Sequence, residues 1–262
     1  MSDEHYFFLN PRLPVEQVRD QLEVLHAGAP LFFERERESF AQGDPASTRG
    51  YLFLLTSGTT SQQGSGLKWV VLSKHAFLTS ARAVNQVLDA DAASFGSFSD
   101  ASEDRWLLLL PDFHVGGLAI RARAYLKGSS PIVLTQWRVG EFIDAMMKYA
   151  VTRVSLVPAQ IFDLCQNEVR CPPSVRTVLV GAGALAPSLF ERARALGWPI
   201  RMTYAMTEAC STIALTPMGS SEFHVLPHWE IRGGEVICLK GGESFKCVYP
   251  PRFWRGHHYF RS

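Results

Sequence analysis

Residues Tyr51 to Ser73 read YLFLLTSGTTSQQGSGLKWVVLS, and the rest of the chain is organised around them. Two short apolar runs, Tyr51 to Leu55 and Trp69 to Leu72, have the composition of buried strands. Between them lie Thr56, Ser57, Gly58, Thr59, Thr60, Ser61, Gly64, Ser65 and Gly66, followed by Lys68. Glycines let successive backbone N–H groups turn toward an anion, hydroxyls add donors, and a lysine brings a mobile point charge. The loop therefore suits phosphate. Composition alone would equally describe a flexible Ser/Gly hairpin, but the close apolar brackets argue against a linker. A Walker loop is excluded, because Leu67 separates Gly66 from Lys68 where that pattern needs Gly-Lys-Ser/Thr together.

Working outward, 262 residues with 47% hydrophobic side chains are enough for one large domain or two small ones with a proper core. A net charge of +1 with dispersed Lys and Arg gives no basic face, so non-sequence-specific nucleic-acid binding has little electrostatic support. Cys165, Cys171, Cys210, Cys238 and Cys247 are odd in number and form no C-x-x-C pair, which fits reduced thiols and a cytoplasmic location. The start, MSDEHYFFLNPRLP, lacks the basic and continuously apolar parts of a signal peptide, and no stretch approaches a membrane span.

Val15 to His26 has an amphipathic helical pattern, and residues 34 to 49 are polar and turn-rich, as in a surface connection. After the loop, Lys74 to Leu88 has helical spacing and residues 89 to 105 form a polar loop. From Trp106 the pattern alternates: strands at WLLLL, PIVLT, Val154 to Val157, Thr177 to Val180 and Ile200 to Tyr204, with helices between them. Continuous apolar strands alternating with helices predict an α/β fold, a largely parallel layered sheet flanked by helices over residues 1–217. Past Pro217 the texture becomes short and glycine-broken, predicting a small β subdomain over residues 218–262 that ends in a strand at HHYFRS.

Three further segments carry chemistry. Pro111 to Gly117 reads PDFHVGG directly after a strand, at the edge where a parallel sheet presents ligands. His114 can face a substrate there, and Gly116 and Gly117 permit close approach, although a histidine beside Phe113 also suits a satisfied polar group near a core. Thr177 to Ala186, TVLVGAGALA, formally satisfies the dinucleotide fingerprint Gly-x-Gly-x-x-Ala and keeps an NAD(P)-binding oxidoreductase open as an alternative. That fingerprint needs an acid roughly 20 residues further on, where this chain has Arg201. Thr203-Tyr204-Ala205-Met206-Thr207-Glu208 brings an aromatic ring, hydroxyls and a carboxylate to one strand end, suited to a base, a phosphate and a magnesium ion.

In order, Thr56-Ser57-Gly58-Thr59-Thr60 with Lys68, then Phe113-His114-x-Gly-Gly, Gly181-Ala182-Gly183, and Tyr204 to Glu208 resemble the adenylate-forming (AMP-binding) acyl-CoA synthetase superfamily. Within it the chain looks most like the o-succinylbenzoate:CoA ligases of menaquinone biosynthesis, on FHVGGLAIRAR with Arg123 nine residues after His114, on SLVPAQ and on TEACST. The resemblance implies an ATP- and magnesium-dependent acid–thiol ligase with CoA as co-substrate. It implies ATP contacts at Thr56, Ser57, Gly58, Thr59, Thr60, Ser61, Gly181, Ala182, Gly183, Thr203, Tyr204 and Thr207, and magnesium at Glu208. Lys68, His114 and Glu208 would be catalytic, and His114, Gly116, Arg123 and Thr212 would hold a small aromatic acid. Arg123 would pair with that acid's second carboxylate. As an alternative, the same residues would bind nucleotide or acyl-adenylate without turnover. The resemblance leaves room for a homo-oligomer.

This chain departs from the family pattern at Ser61 and Ala205, where glycine is usual, and over Gln62 to Leu67, where the loop is longer. The expectation is also that the hinge and C-terminal lid domain, with its catalytic lysine, and part of the N-terminal domain have no counterpart in these residues.

Overall fold

The computed structural model describes residues 5–8, 51–57, 67–94, 104–111, 113–232 and 235–238. Both apolar runs of the opening segment extend into the loop between them. β2 (Tyr51–Ser57) and β3 (Leu67–Ser73) pair antiparallel, with Leu52 opposite Leu72 and Leu54 opposite Val70, all buried on one face. Thr56 and Lys68 stand opposite each other beside the loop mouth. β1 (His5–Phe8) adds parallel to β2, completing a three-stranded sheet in the order β1-β2-β3.

A second sheet of seven strands contains β4 (Trp106–Leu108), β5 (Ile132–Val133), β6 (Arg153–Leu156), β7 (Thr177–Val180), β8 (Ile200–Met206), β9 (Ser211–Leu215) and β10 (His224–Val225), in the order β10-β9-β8-β7-β6-β4-β5. From β5 to β8 the neighbours run parallel, whereas β9 and β10 are antiparallel additions. Both faces are covered, as continuously apolar strands require. On one face Leu107, Val154, Val178 and Ile200 pack with Phe142 and Met146 of α3 (Val139–Lys148), Ile161 and Leu164 of α4 (Pro158–Gln166) and Phe190 of α5 (Pro187–Ala195). On the other, Trp106, Leu108 and Leu179 meet Val84 and Leu88 of α1 (Lys74–Ser94) and Ile120 of α2 (Val115–Tyr125). The expected α/β architecture is thus present. Beyond it, β11 (Trp229–Arg232) and β12 (Glu235–Cys238) form an antiparallel pair.

The boundaries differ in instructive places. α1 continues to Ser94, past the expected end at Leu88, because Asp89 is held by charge: its carboxylate meets Lys127 Nζ at 2.5 Å and Arg153 Nη2 at 3.0 Å. The strand expected over PIVLT is reduced to Ile132–Val133 at the sheet edge, and β9 was not expected. The helix expected over Val15 to His26, the connection at 34–49 and the strand at HHYFRS lie outside the described residues.

Under the N-terminal ends of β4 and β6, Arg153 Nη1 lies 2.8 Å from Asp104 Oδ2, a charge contact whose atoms are not aligned as a hydrogen bond. Burial pushes the Asp104 carboxyl above its ordinary value, against the pull of Arg153 and Lys127. Because folding raises this pKa, acidification toward it adds stability, the reverse of an ordinary paired aspartate. Arg153→Met should strand a buried carboxylate and cost about 3–5 kcal/mol. Asp89→Asn, at a side chain 34% exposed, should cost less than about 1 kcal/mol. Urea unfolding of the two variants checks the ranking.

Candidate active site

Strand order decides where a ligand fits. β4 has β5 on one side and β6 on the other, so the chain reverses direction between β4 and β6, and crevices form outside the carboxyl ends of strands at such points. The register sets Leu156 beside Val180, so the loops leaving β6 and β7 start from one level, while β8 runs four residues past Met202, the partner of Val180, to Met206. The segments after β4 and β7 carry His114 and Gly181 to Gly183, and the end of β8 with the turn after it carries Tyr204 to Glu208.

His114 is exposed and caps α2 in extended conformation, its N–H donating to the Pro111 carbonyl at 3.1 Å. Its ring lies 4.6 Å from that of Phe113, which is buried. The two following glycines differ in role. A Cβ on Gly117 would lie 2.2 Å from the Pro111 carbonyl oxygen, whereas one on Gly116 meets only Leu110 Cδ1 at 3.5 Å. Gly117 therefore lets α2 start hard against the turn that presents His114. Its importance relative to Gly116 was not readable from the doubled glycine.

After β7, Gly181 sits against Thr203: an added Cβ would be 2.6 Å from Thr203 Oγ1, which itself donates to the Val180 carbonyl at 3.2 Å. Ala182 takes a left-handed φ of 62°, and Ala182 and Gly183 are exposed. Tyr204, Thr207 and Glu208 are half-buried at the end of β8, with Thr207–Ala209 forming one tight helical turn. Arg201, at the place where a dinucleotide fingerprint needs an acid, is buried and donates Nε to the Thr216 carbonyl at 2.6 Å.

Arg123 and Thr212, far apart in sequence, meet: Arg123 Nη2 donates to Thr212 Oγ1 at 2.9 Å. Arg123 is 3% exposed, its guanidinium lies 5.8 Å from the Trp106 ring centroid, and Nε has no hydrogen-bond partner among the described residues. Burial, and then the charge of Arg153, lower its pKa to about 10, which leaves it cationic at neutral pH. No described carboxylate pairs with it, whereas Arg153 has two. A buried cation without an anion carries a desolvation cost that a bound carboxylate would offset.

β2 and β3, which flank the Ser57–Leu67 loop, reach the same region through packing. Leu52, Leu54, Val70 and Leu72 share one buried cluster with Phe113, Leu118 and Cys210. Gly58, Thr59, Thr60 and Ser61 lie outside the described residues, and of Thr56, Ser57 and Lys68 only the backbone is described.

A largely parallel α/β sheet with a strand-order reversal, and a glycine turn and a strand-end carboxylate near it, is an architecture that nucleotide-binding enzymes use. A family model described as AMP-binding enzyme matches residues 10–230, and the chain belongs to that family. The 2-succinylbenzoate–CoA ligase of Bacillus subtilis (strain 168) is 30% identical over 190 residues, covering 72% of this chain and 35% of that protein. That of Bacillus pumilus (strain SAFR-032) is 32% identical over 121 residues, 46% of this chain and 25% of that protein. The chain thus spans about a third or less of the length of these curated relatives. Among solved structures, O-succinylbenzoate coenzyme A synthetase from Bacillus subtilis in complex with AMP superposes with a TM-score of 0.57 at 28% identity, over 71% of this chain and 37% of that one. The same enzyme in complex with ATP and magnesium ion gives 0.56 at 26% identity, over 72% and 42%.

Gly117→Ala should destabilise the protein by about 3 kcal/mol, since backbone rather than a movable side chain opposes the methyl. Gly116→Ala should stay within about 1 kcal/mol of the parent. Thermal unfolding of the pair checks it; equal losses would contradict the assignment.

Proposed function

We propose that this chain forms the nucleotide- and acid-binding core of an ATP-dependent, acyl-adenylate-forming acid–CoA ligase, with o-succinylbenzoate as the acid, in menaquinone biosynthesis in the cytoplasm. The observation that carries the reading is the buried Arg123–Thr212 pair, a cation with no carboxylate partner among the described residues, on the helix that His114 caps. Membership of the AMP-binding family and the named relatives support it.

In this reading Thr56 to Ser61 and Lys68 hold the ATP phosphates. Gly181, Ala182, Gly183, Thr203 and Tyr204 border the adenine, and Thr207 meets the α-phosphate. Arg123 with Thr212 takes the distal carboxylate of the acid, and Gly116 gives the acid room beside His114. The near carboxylate attacks the α-phosphorus, a new P–O bond forms and pyrophosphate leaves. The CoA thiol, losing its proton, then attacks the acyl carbon and AMP departs. Two anions must meet in line, so His114, Lys68 and the loop donors act by positioning and charge neutralisation.

Magnesium binds through one or two carboxylates plus substrate phosphates. A single half-buried Glu208 at a strand end fits that need, and the ion when bound would neutralise phosphate charge.

Pyrophosphate exchange into ATP that depends on o-succinylbenzoate tests the reading. Its absence at high protein concentration would remove catalytic competence from this chain, while retained binding of ATP, weakened by Lys68→Ala and Glu208→Ala, would mark it as a binding core only. Arg123→Met should weaken o-succinylbenzoate binding roughly thirtyfold, the equivalent of about 2 kcal/mol for a charge-assisted contact. An analogue lacking the second carboxylate should bind parent and variant alike. Calorimetry with both acids reads the difference.

A further inference from the structure

At the end of the turn that carries Glu208, two successive residues other than glycine take left-handed backbone angles, Cys210 at φ 56° and Ser211 at φ 92°. Each such residue is strained and persists only where its surroundings over-determine it. The surroundings here pull adjacent side chains into different cores. Ala209 packs with Ile213, Val236 and Trp229, while Cys210, 8% exposed, packs with Leu54 of β2, Val70 of β3 and Phe113. The Cys210 N–H donates to the Thr207 carbonyl at 3.1 Å and closes the turn, which itself packs against β3. The left-handed step is what lets Cys210 reach the three-stranded sheet while Thr207 and Glu208 stay half-buried at the strand end.

We infer that Cys210 is a positioning residue that ties the Glu208 turn to β2 and β3, fixing the spacing between those strands and the turn before any nucleotide arrives. Phe113, next to His114, enters the same cluster, so a third site segment is held by it. The role in nucleotide binding rests on the function proposed above; the mechanical tie does not.

Cys210→Gly keeps the left-handed backbone and removes the anchor, whereas Ser211→Gly relieves backbone strain and leaves the cluster intact. In the ligand-free protein, amide hydrogen exchange over 51–57 and 67–73 should accelerate tenfold or more in Cys210→Gly, with the central strands β6 and β7 unchanged, and should stay at the parent rate in Ser211→Gly. Calorimetric titration with magnesium-ATP should show affinity weakened at least fivefold in Cys210→Gly only. Unchanged exchange in β2 and β3, or acceleration spread evenly over all strands, would overturn the inference. So would altered exchange in those two strands with unaltered magnesium-ATP affinity in a protein whose parent binds it. If the parent binds no magnesium-ATP, the nucleotide reading falls, and the exchange comparison alone still decides whether the tie exists. Should Cys210→Gly fail to fold, Cys210→Ala gives the same readouts, with a smaller acceleration expected and none overturning the inference.

Discussion

The parallel hydrogen-bond ladder through β4, β6, β7 and β8 is the constraint from which the site follows. Leu107 lies beside Val154, Leu156 beside Val180 and Val180 beside Met202, so parallel strands point their carboxyl ends the same way, with β8 projecting to Met206 beyond its neighbours. Because β5 lies on the far side of β4, the chain reverses between β4 and β6 and leaves a crevice between loops that diverge. A one-residue slip would turn every buried strand residue to the opposite face and shift the loops with it. Trp106 and Leu107 show how firmly this is specified, since they enter different cores on the two faces of the sheet.

On that frame the chain tolerates local costs that a purely structural domain would avoid. Gly117 packs against a backbone carbonyl, Gly181 against a threonine hydroxyl, and Ala182, Cys210 and Ser211 occupy left-handed conformations. Such features gather where function imposes geometry. The contrast between two buried arginines makes the same point electrostatically. Arg153 lies against Asp104 and Asp89 and is accounted for within the fold, whereas Arg123 has a hydroxyl and an indole face but no described carboxylate. Structural need explains the first; the second is the one to which the proposed function assigns an anionic ligand.

Much of this was readable in the amino-acid order because the signals are local. Apolar runs located β6 to β8 within a few residues and the alternation put helices between the strands, and the glycine and hydroxyl motifs marked the strand ends. What escaped depends on partners distant in sequence. The continuation of α1 rests on Asp89 meeting Arg153, and β9 exists because β8 offers an edge on which Ser211 to Leu215 can pair. A role for Arg123 came only from the family resemblance, and its burial beside Thr212 could not be inferred from spacing. Nor could the packing of Cys210 against β2 and β3, since nothing local distinguishes it from the other cysteines.

The central claim is that separated segments converge on one nucleotide, and photolabelling with azido-adenine ATP followed by peptide mapping addresses it most directly. The account predicts label on the segments around Gly181 to Gly183 and Tyr204, abolished by excess ATP and reduced by Lys68→Ala. Label on other segments, or label indifferent to ATP and to Lys68, would contradict it.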